Sequence, residues 1–283
     1  MDFRKIGVVG AGTMGNGISQ AFAVAGFDVV MTDVAQAQLE RANTAISASL
    51  DRLVKKDKMS AGEKAQALAR IRASTELAAV RDCELVLEAA TENLELKLKI
   101  FRQLDELAAP QAVIASNTSS ISITRLAAAT KHPERVIGMH FFNPVPVMAL
   151  IELIRGLQTS PETYGAVEAL AKRIGKSPVQ VKNSPGFVVN RLLCPMINEA
   201  VFALAEGLAS AEQIDEAMKL GANHPIGPLA LADLIGLDVE LAVMQVLYEG
   251  FKDPKYRPAP LLAEMVEAGY LGRKTKRGFF SYA

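Results

Sequence analysis

Ile6-Gly7-Val8-Val9-Gly10-Ala11-Gly12-Thr13-Met14-Gly15 decides how this 283-residue chain is read. Residues 6–9 are an apolar run that reads as a strand, the glycine string follows directly, and a helical pattern covers 14–25. A GxGxxG string alone is weak evidence. Strand, turn and helix in that order give each glycine a physical role. Gly10 permits the tight turn, Gly12 lets a pyrophosphate approach the backbone, and Gly15 lets helix and strand pack closely. Thr13 and Met14 open the helix, whose free N–H groups and positive dipole end suit a diphosphate. A second strand over 28–32 leads to Asp33, 18 residues after Gly15. An acid at that strand end would bind both ribose hydroxyls of NAD and repel the 2′-phosphate of NADP. No Arg stands at 34–40 to receive that phosphate. The bland alternative is an ordinary glycine turn with an Asp cap.

Outward from the turn, short apolar runs alternate with helical patterns. Strands are predicted at 85–88, 112–115, 135–140, 148–154 and 178–181, and helices at 92–107, 123–129 and 163–174. That alternation predicts a doubly wound parallel sheet with helices on both faces. Helical pattern over 36–58 and 61–72 is long for one crossover and reads as an inserted helical hairpin. Asn183-Ser184-Pro185-Gly186 is a breaker cluster, and beyond it only apolar helices follow, at 188–206, 211–220, 229–249 and 260–268. The expected division is therefore an α/β nucleotide-binding domain over 1–184 and an all-helical domain over 185–283.

Half of the residues are hydrophobic and 22% are charged, a globular composition that excludes wholesale disorder. Lys plus Arg is 31 and Asp plus Glu is 31, so no positive excess exists to neutralise the phosphates of a nucleic acid. Cys83 and Cys194 are the two cysteines and lie far apart, which argues against a disulfide scaffold or a metal site and suits a reducing compartment. No uncharged run approaches the ~20 residues that span a bilayer, and the first residues resemble neither a signal nor a transit peptide. A cytoplasmic protein without nucleic-acid or membrane partners is expected.

Of the three histidines, His132 and His224 sit in turns beside prolines. His140 instead ends the apolar run Val136-Ile137-Gly138-Met139, at the C-terminal edge of a predicted parallel strand, where open α/β sheets bind ligands. A lone strand-end His is more often a satisfied core residue, but the nearby nucleotide site favours a catalytic reading. Oxidation of an alcohol needs a base for the hydroxyl proton, and imidazole serves best when a carboxylate fixes its tautomer. Glu152 is the nearest acid C-terminal to it; nothing local sets their separation, and Glu152 could equally be a surface strand residue. Ser116-Asn117-Thr118-Ser119-Ser120 could bind a substrate oxygen, although the local pattern favours capping of the next helix.

Together these residues resemble the L-3-hydroxyacyl-CoA dehydrogenase family, in its short-chain, 3-hydroxybutyryl-CoA branch. The matching strings are Gly10–Gly15, Glu88-Ala-Ala-Thr-Glu-Asn93, Ser116–Ser120, His140-Phe-Phe-Asn-Pro-Val-Pro146, Asn183-Ser-Pro-Gly-Phe-Val-Val-Asn-Arg191, Met218-Lys-Leu-Gly221 with Gly227-Pro228, and Gly278-Phe-Phe-Ser-Tyr282. They span nearly the whole chain. The resemblance implies a Rossmann-like first domain and NAD-dependent interconversion of acetoacetyl-CoA and (S)-3-hydroxybutyryl-CoA. His140 matches the general acid/base and Glu152 its partner. Ser119 and Asn190 match the residues that hold the substrate oxygens. Glu92, Lys97, Asn117 and Asn143 match cofactor-contacting positions. Ser49, Arg52 and Lys56, near a run that continues with Lys55 and Lys58, match a CoA-binding hairpin; read locally they are a solvated helix end. The family's Asp in the interdomain motif is Asn183 here, at a position that reads as structural.

Runs such as Val201-Phe202-Ala203-Leu204-Ala205 carry more apolar surface than one small domain hides, and a homodimer through the helical domain is expected; core helices of a single chain are the bland reading. Two other functions stay open. A free-hydroxy-acid dehydrogenase would show a Lys base and no CoA requirement. A non-catalytic NAD sensor would show a degraded set in place of Ser119, His140, Glu152 and Asn190.

Overall fold

β1 (Lys5–Val9), α1 (Thr13–Val24) and β2 (Asp28–Thr32) take the strand, turn, helix and strand order that the glycine string demands. The computed structural model describes residues 1–283, and these divide into two units, Met1–Asn183 and Ser184–Ala283.

In the first unit, α2 (Gln36–Val54) and α3 (Ala61–Ala69) form the hairpin, shorter at both C-terminal ends than the pattern suggested. A capping box starts α3: Glu63 N–H donates to Ser60 Oγ at 3.1 Å, and Ser60 N–H donates to Glu63 Oε2 at 2.6 Å. The hairpin delivers the chain to a strand that the sequence pattern did not predict, β3 (Ile71–Ser74), which pairs in parallel with β2. The helix pair is thus the crossover between two strands. Ile-Arg-Ala-Ser contains no buried residue, so no apolar run announced it. β4 (Leu85–Glu88), α4 (Leu94–Leu107), β5 (Val113–Ser116), α5 (Ile123–Ala127), β6 (Val136–Phe141), β7 (Leu150–Arg155), α6 (Pro161–Arg173) and β8 (Ser177–Lys182) follow.

The sheet order is β3-β2-β1-β4-β5-β6-β7-β8. The first six strands are parallel, and the order reverses between β1 and β4, the place where doubly wound sheets bind nucleotides. One pair departs from the expected parallel sheet: β7 runs antiparallel to β6. Only residues 142–149 join them, without a helix, and a parallel return needs a crossover of about a dozen residues or more. β8 then pairs in parallel with β7, with α6 as the crossover. Ile6 and Val8 of β1, Leu85 and Leu87 of β4, and Ile18 and Phe22 of α1 share one buried cluster, so the apolar strand runs and the inner face of α1 make the core beneath the turn.

The second unit is helical: α7 (Val189–Ala205), α8 (Ala211–Gly221), α9 (Pro228–Ile235), α10 (Leu237–Phe251) and α11 (Pro260–Glu267). The single helix expected over 229–249 is two helices. Gly236 between them has φ +104°, a conformation that ends a right-handed helix and that a side chain resists. Ile197, Val201, Leu229, Ala232, Leu237 and Leu262 form its core. Asp233 is buried and accepts from the backbone N–H groups of Phe279 (3.0 Å) and Phe280 (2.9 Å) and from the Tyr282 hydroxyl (2.9 Å), which fastens the C-terminal segment to α9. No helix is long and apolar enough to cross a membrane.

Candidate active site

At the reversal point the backbone excludes a side chain at Gly10 and Gly15. Gly10 has φ +102°, and a Cβ there would stand 2.7 Å from the Ala89 carbonyl oxygen at the end of β4. A Cβ on Gly15 would lie 1.8 Å from the Gly10 oxygen, so the first turn of α1 closes onto the end of β1 only without a side chain. At Gly12 a Cβ would meet nothing within 4 Å: the backbone there faces open space, beside the N-terminus of α1. Thr13 and Met14 form that helix start. Asp33 lies where β2 ends. Its Oδ2 accepts from Ala11 N–H at 2.9 Å and its Oδ1 from Ala35 N–H at 3.0 Å. The carboxylate therefore holds the glycine turn, a role that its spacing from Gly15 does not reveal.

Beside Asp33 lies a cavity of about 290 Å³, lined by Thr32, Val34, Leu77, Leu96, Lys99 and Gln103 among others. Apolar walls with a few polar groups suit the adenosine half of a dinucleotide. Sequence reasoning missed Lys99 and Gln103. The signal was present: with Leu96 and Ile100 they recur at three- and four-residue spacing along one face of α4. The open backbone at Gly12, the helix end, the acid and this cavity together fit NAD.

At the ends of β4 and β5 a partly buried network replaces the capping role expected for Ser116–Ser120; the cap of α5 is Ser122. Glu88 and Ser116 are direct partners in the β4–β5 register, and Ser116 Oγ donates to Glu88 Oε2 at 2.7 Å. Lys97 is 1% exposed, and its Nζ donates to Glu88 Oε1 at 2.6 Å and to the Ala90 carbonyl at 3.1 Å. The same ammonium lies 3.4 Å from Glu92 Oε2. Glu92 Oε1 accepts from the Ser119 and Ser120 N–H groups, both at 3.1 Å, from Ser120 Oγ at 2.6 Å, and from Thr118 Oγ1. Burial works to raise the Glu92 pKa, but the Lys97 charge and these hydroxyls outweigh it and leave the carboxyl below its usual range. An ionised Glu92 thus shapes the turn that carries Ser119, and Lys97 reaches this region through Glu92.

His140 and Glu152 face each other directly across the antiparallel β6–β7 ladder. Their separation, which nothing local in the sequence set, is a consequence of that register. His140 Nδ1 stands 2.8 Å from Glu152 Oε2, and both side chains are buried. The Phe142 ring lies 4.5 Å from the imidazole, centroid to centroid. Asn117 Oδ1 accepts from Phe141 N–H at 2.9 Å, tying the end of β5 to the residue after His140. Asn143 is exposed in the segment that leaves β6. Asn183 is structural: its Oδ1 accepts from Ile123 N–H at 2.8 Å and its Nδ2 donates to Ser122 Oγ at 2.9 Å, at the start of α5.

The residues expected to meet CoA lie on the helical hairpin of the first unit. Ser49 and Arg52 are on the last turns of α2, and Lys56 is exposed in the turn after it, since α2 ends at Val54 rather than Lys58. They stand at the opposite end from Asp33 of a 19-residue helix, roughly 28 Å long. Asn190 is half-buried in the first turn of α7, in the second unit.

Residues 5–184 match the family model for the 3-hydroxyacyl-CoA dehydrogenase NAD-binding domain, and residues 186–282 match the model for the C-terminal domain of the same family. The chain is 54% identical over 279 residues to a 3-hydroxybutyryl-CoA dehydrogenase of Bradyrhizobium diazoefficiens, covering 99% of this chain and 95% of that protein. It is 52% identical over 278 residues to a 3-hydroxybutyryl-CoA dehydrogenase of Clostridioides difficile, covering 98% and 99%. The crystal structure of (S)-3-hydroxybutyryl-CoA dehydrogenase from Ralstonia eutropha superposes with a TM-score of 0.97 at 63% identity, each chain covered completely. The glycine turn, the acid at the end of β2 and the family matches over both units converge: the chain belongs to the 3-hydroxyacyl-CoA dehydrogenase family and is an NAD-dependent oxidoreductase.

Proposed function

We propose that the chain interconverts acetoacetyl-CoA and (S)-3-hydroxybutyryl-CoA, with His140 as general acid/base. The buried His140–Glu152 pair at the C-terminal edge of the sheet carries this reading. Glu152 accepts the Nδ1 proton and so assigns Nε2 as the nitrogen that exchanges a proton with the substrate's 3-oxygen. In the oxidative direction Nε2 takes the hydroxyl proton; in the reductive direction the imidazolium returns it. Glu152, shielded from water, stabilises that imidazolium. Bound NAD supplies the hydride acceptor for C3. The Glu92-ordered turn leaves the Ser119 hydroxyl to the substrate oxygen, and Asn190 is assigned to a second contact on the substrate. Asp33 binds the adenosine ribose, and Glu92, Asn117 and Asn143 order the nicotinamide side. Ser49, Arg52 and Lys56 are assigned to CoA, whose phosphates need cations.

The reading includes a homodimer through the helical unit, supported by the exposure of Leu208 and Leu220 and by an apolar cavity of about 440 Å³ lined by Met196, Ala200, Ala203, Leu208, Ile214 and Met218. It also includes a reducing, cytoplasmic setting, supported by the two buried free thiols, Cys83 and Cys194. NADH consumption with acetoacetyl-CoA, run beside NADPH and beside free acetoacetate, tests the activity. Turnover with NADH and the thioester alone is expected. Equal turnover of free acetoacetate would transfer the chain to hydroxy-acid chemistry.

A further inference from the structure

Segment 142–149 leaves β6 immediately beyond His140-Phe141 and carries the exposed Asn143. It contains no strand or helix and is fixed by other means. Pro144 O accepts from Val147 N–H (2.9 Å) and Met148 N–H (3.0 Å), folding the segment into a tight turn. Val145 is buried against the bare backbone of α1 at Gly17, where a Cβ would stand 3.0 Å from Val145 Cβ. On the other side, Lys176 Nζ donates to Val145 O at 2.5 Å and to Met148 O at 2.7 Å. Lys176 has a rigid base. Its own N–H donates to Ala171 O at 3.0 Å past the end of α6, and the next residue, Ser177, donates to Ala149 O at 2.8 Å as β8 begins.

We propose that Lys176 is a positioning residue whose ammonium clamps segment 142–149 by two backbone carbonyls and so holds Asn143 where the nicotinamide half of the cofactor binds. This rests on the role proposed above for Asn143. A cation hydrogen-bonded to two carbonyls is stronger than a neutral contact, and no other side chain donates to these two oxygens. Partial burial lowers the Lys176 pKa, in keeping with an ammonium that has exchanged water for these carbonyls. The His140–Glu152 pair does not depend on the clamp, because the β6–β7 ladder holds it. Loss of the ammonium therefore acts on cofactor binding and leaves the acid–base step intact.

The test compares Lys176→Met, which keeps the aliphatic stem, with Lys176→Arg, Asn143→Ala and the Lys176→Met/Asn143→Ala double variant, by NADH fluorescence titration, steady-state kinetics and thermal melting. For Lys176→Met, NADH Kd and KM are expected to rise about tenfold, with kcat within about threefold and the pH–rate profile unmoved. Lys176→Arg should recover most of the loss, and the double variant should be no worse than Asn143→Ala alone. If Lys176→Met does not fold, Lys176→Gln makes the same comparison. Parent-like NADH affinity in Lys176→Met, or a loss that only follows a lowered Tm, would overturn the clamp while leaving the Asn143 role standing. Parent-like affinity in Asn143→Ala would instead remove the role on which the clamp depends, and the proposal with it.

Discussion

Asp33 uses one carboxylate twice: its oxygens hold Ala11 and Ala35 N–H groups, and the same group borders the cavity assigned to adenosine. A negative charge here disfavours a 2′-phosphate, so Asp33→Ala should lower the ratio of kcat/KM for NADH over NADPH by about 10- to 100-fold, the worth of one charged hydrogen bond. An unchanged ratio would take Asp33 out of the ribose site. Single residues of this kind were legible in the sequence because their position depends on one strand end. Asp33 and His140 needed only β2 and β6. Glu92 was less legible. Its grip on residues 118–120 requires Lys97 and Glu88 to be buried beside it, and that depends on how α4 packs over β4 and β5, which no local spacing encodes.

Elements show the same division. β1, β2 and β4 announce themselves by apolar runs, whereas β3 is half-exposed and β7 reverses direction because its connection is short. That reversal is what sets Glu152 opposite His140. In the helical unit, α10 carries a residue that no pattern explains. Glu240 is fully buried, and neither of its oxygens has a hydrogen-bond partner of normal geometry, although the Cys194 thiol of α7 lies against it. Burial pushes its pKa up to about 8 from an ordinary 4.5. Between these values the native state binds a proton that the unfolded chain has lost, so stability declines as pH rises through that window and levels off above it. Glu240→Met removes the penalty. Its Tm should match the parent near pH 5 and exceed it by roughly 5–10 °C at pH 8.5. A constant offset in thermal melts across that range would show that the carboxyl does not titrate on unfolding.

For the whole molecule, the two-unit plan was visible in the change from alternating strands to helices after Asn183, while the break at Gly236 was hidden inside a continuous apolar pattern. The exposed leucines of the helical unit bear on assembly. Light scattering should give the mass of two 30.3 kDa chains, and Leu208→Asp should return a single chain. A parent that runs as one chain at micromolar concentration would remove the dimer. In the proposed mechanism the glycine turn after β1 holds the cofactor's diphosphate while His140, at the end of β6, handles the proton, so loss of one need not abolish the other. The decisive measurement is acetoacetyl-CoA turnover by His140→Gln alongside its NADH affinity. With His140 as the acid and base, kcat should fall by about 10²- to 10⁴-fold while NADH binds as tightly as in the parent. Turnover within a few-fold of the parent would contradict the mechanism, and a parallel loss of NADH binding would make His140 a structural residue.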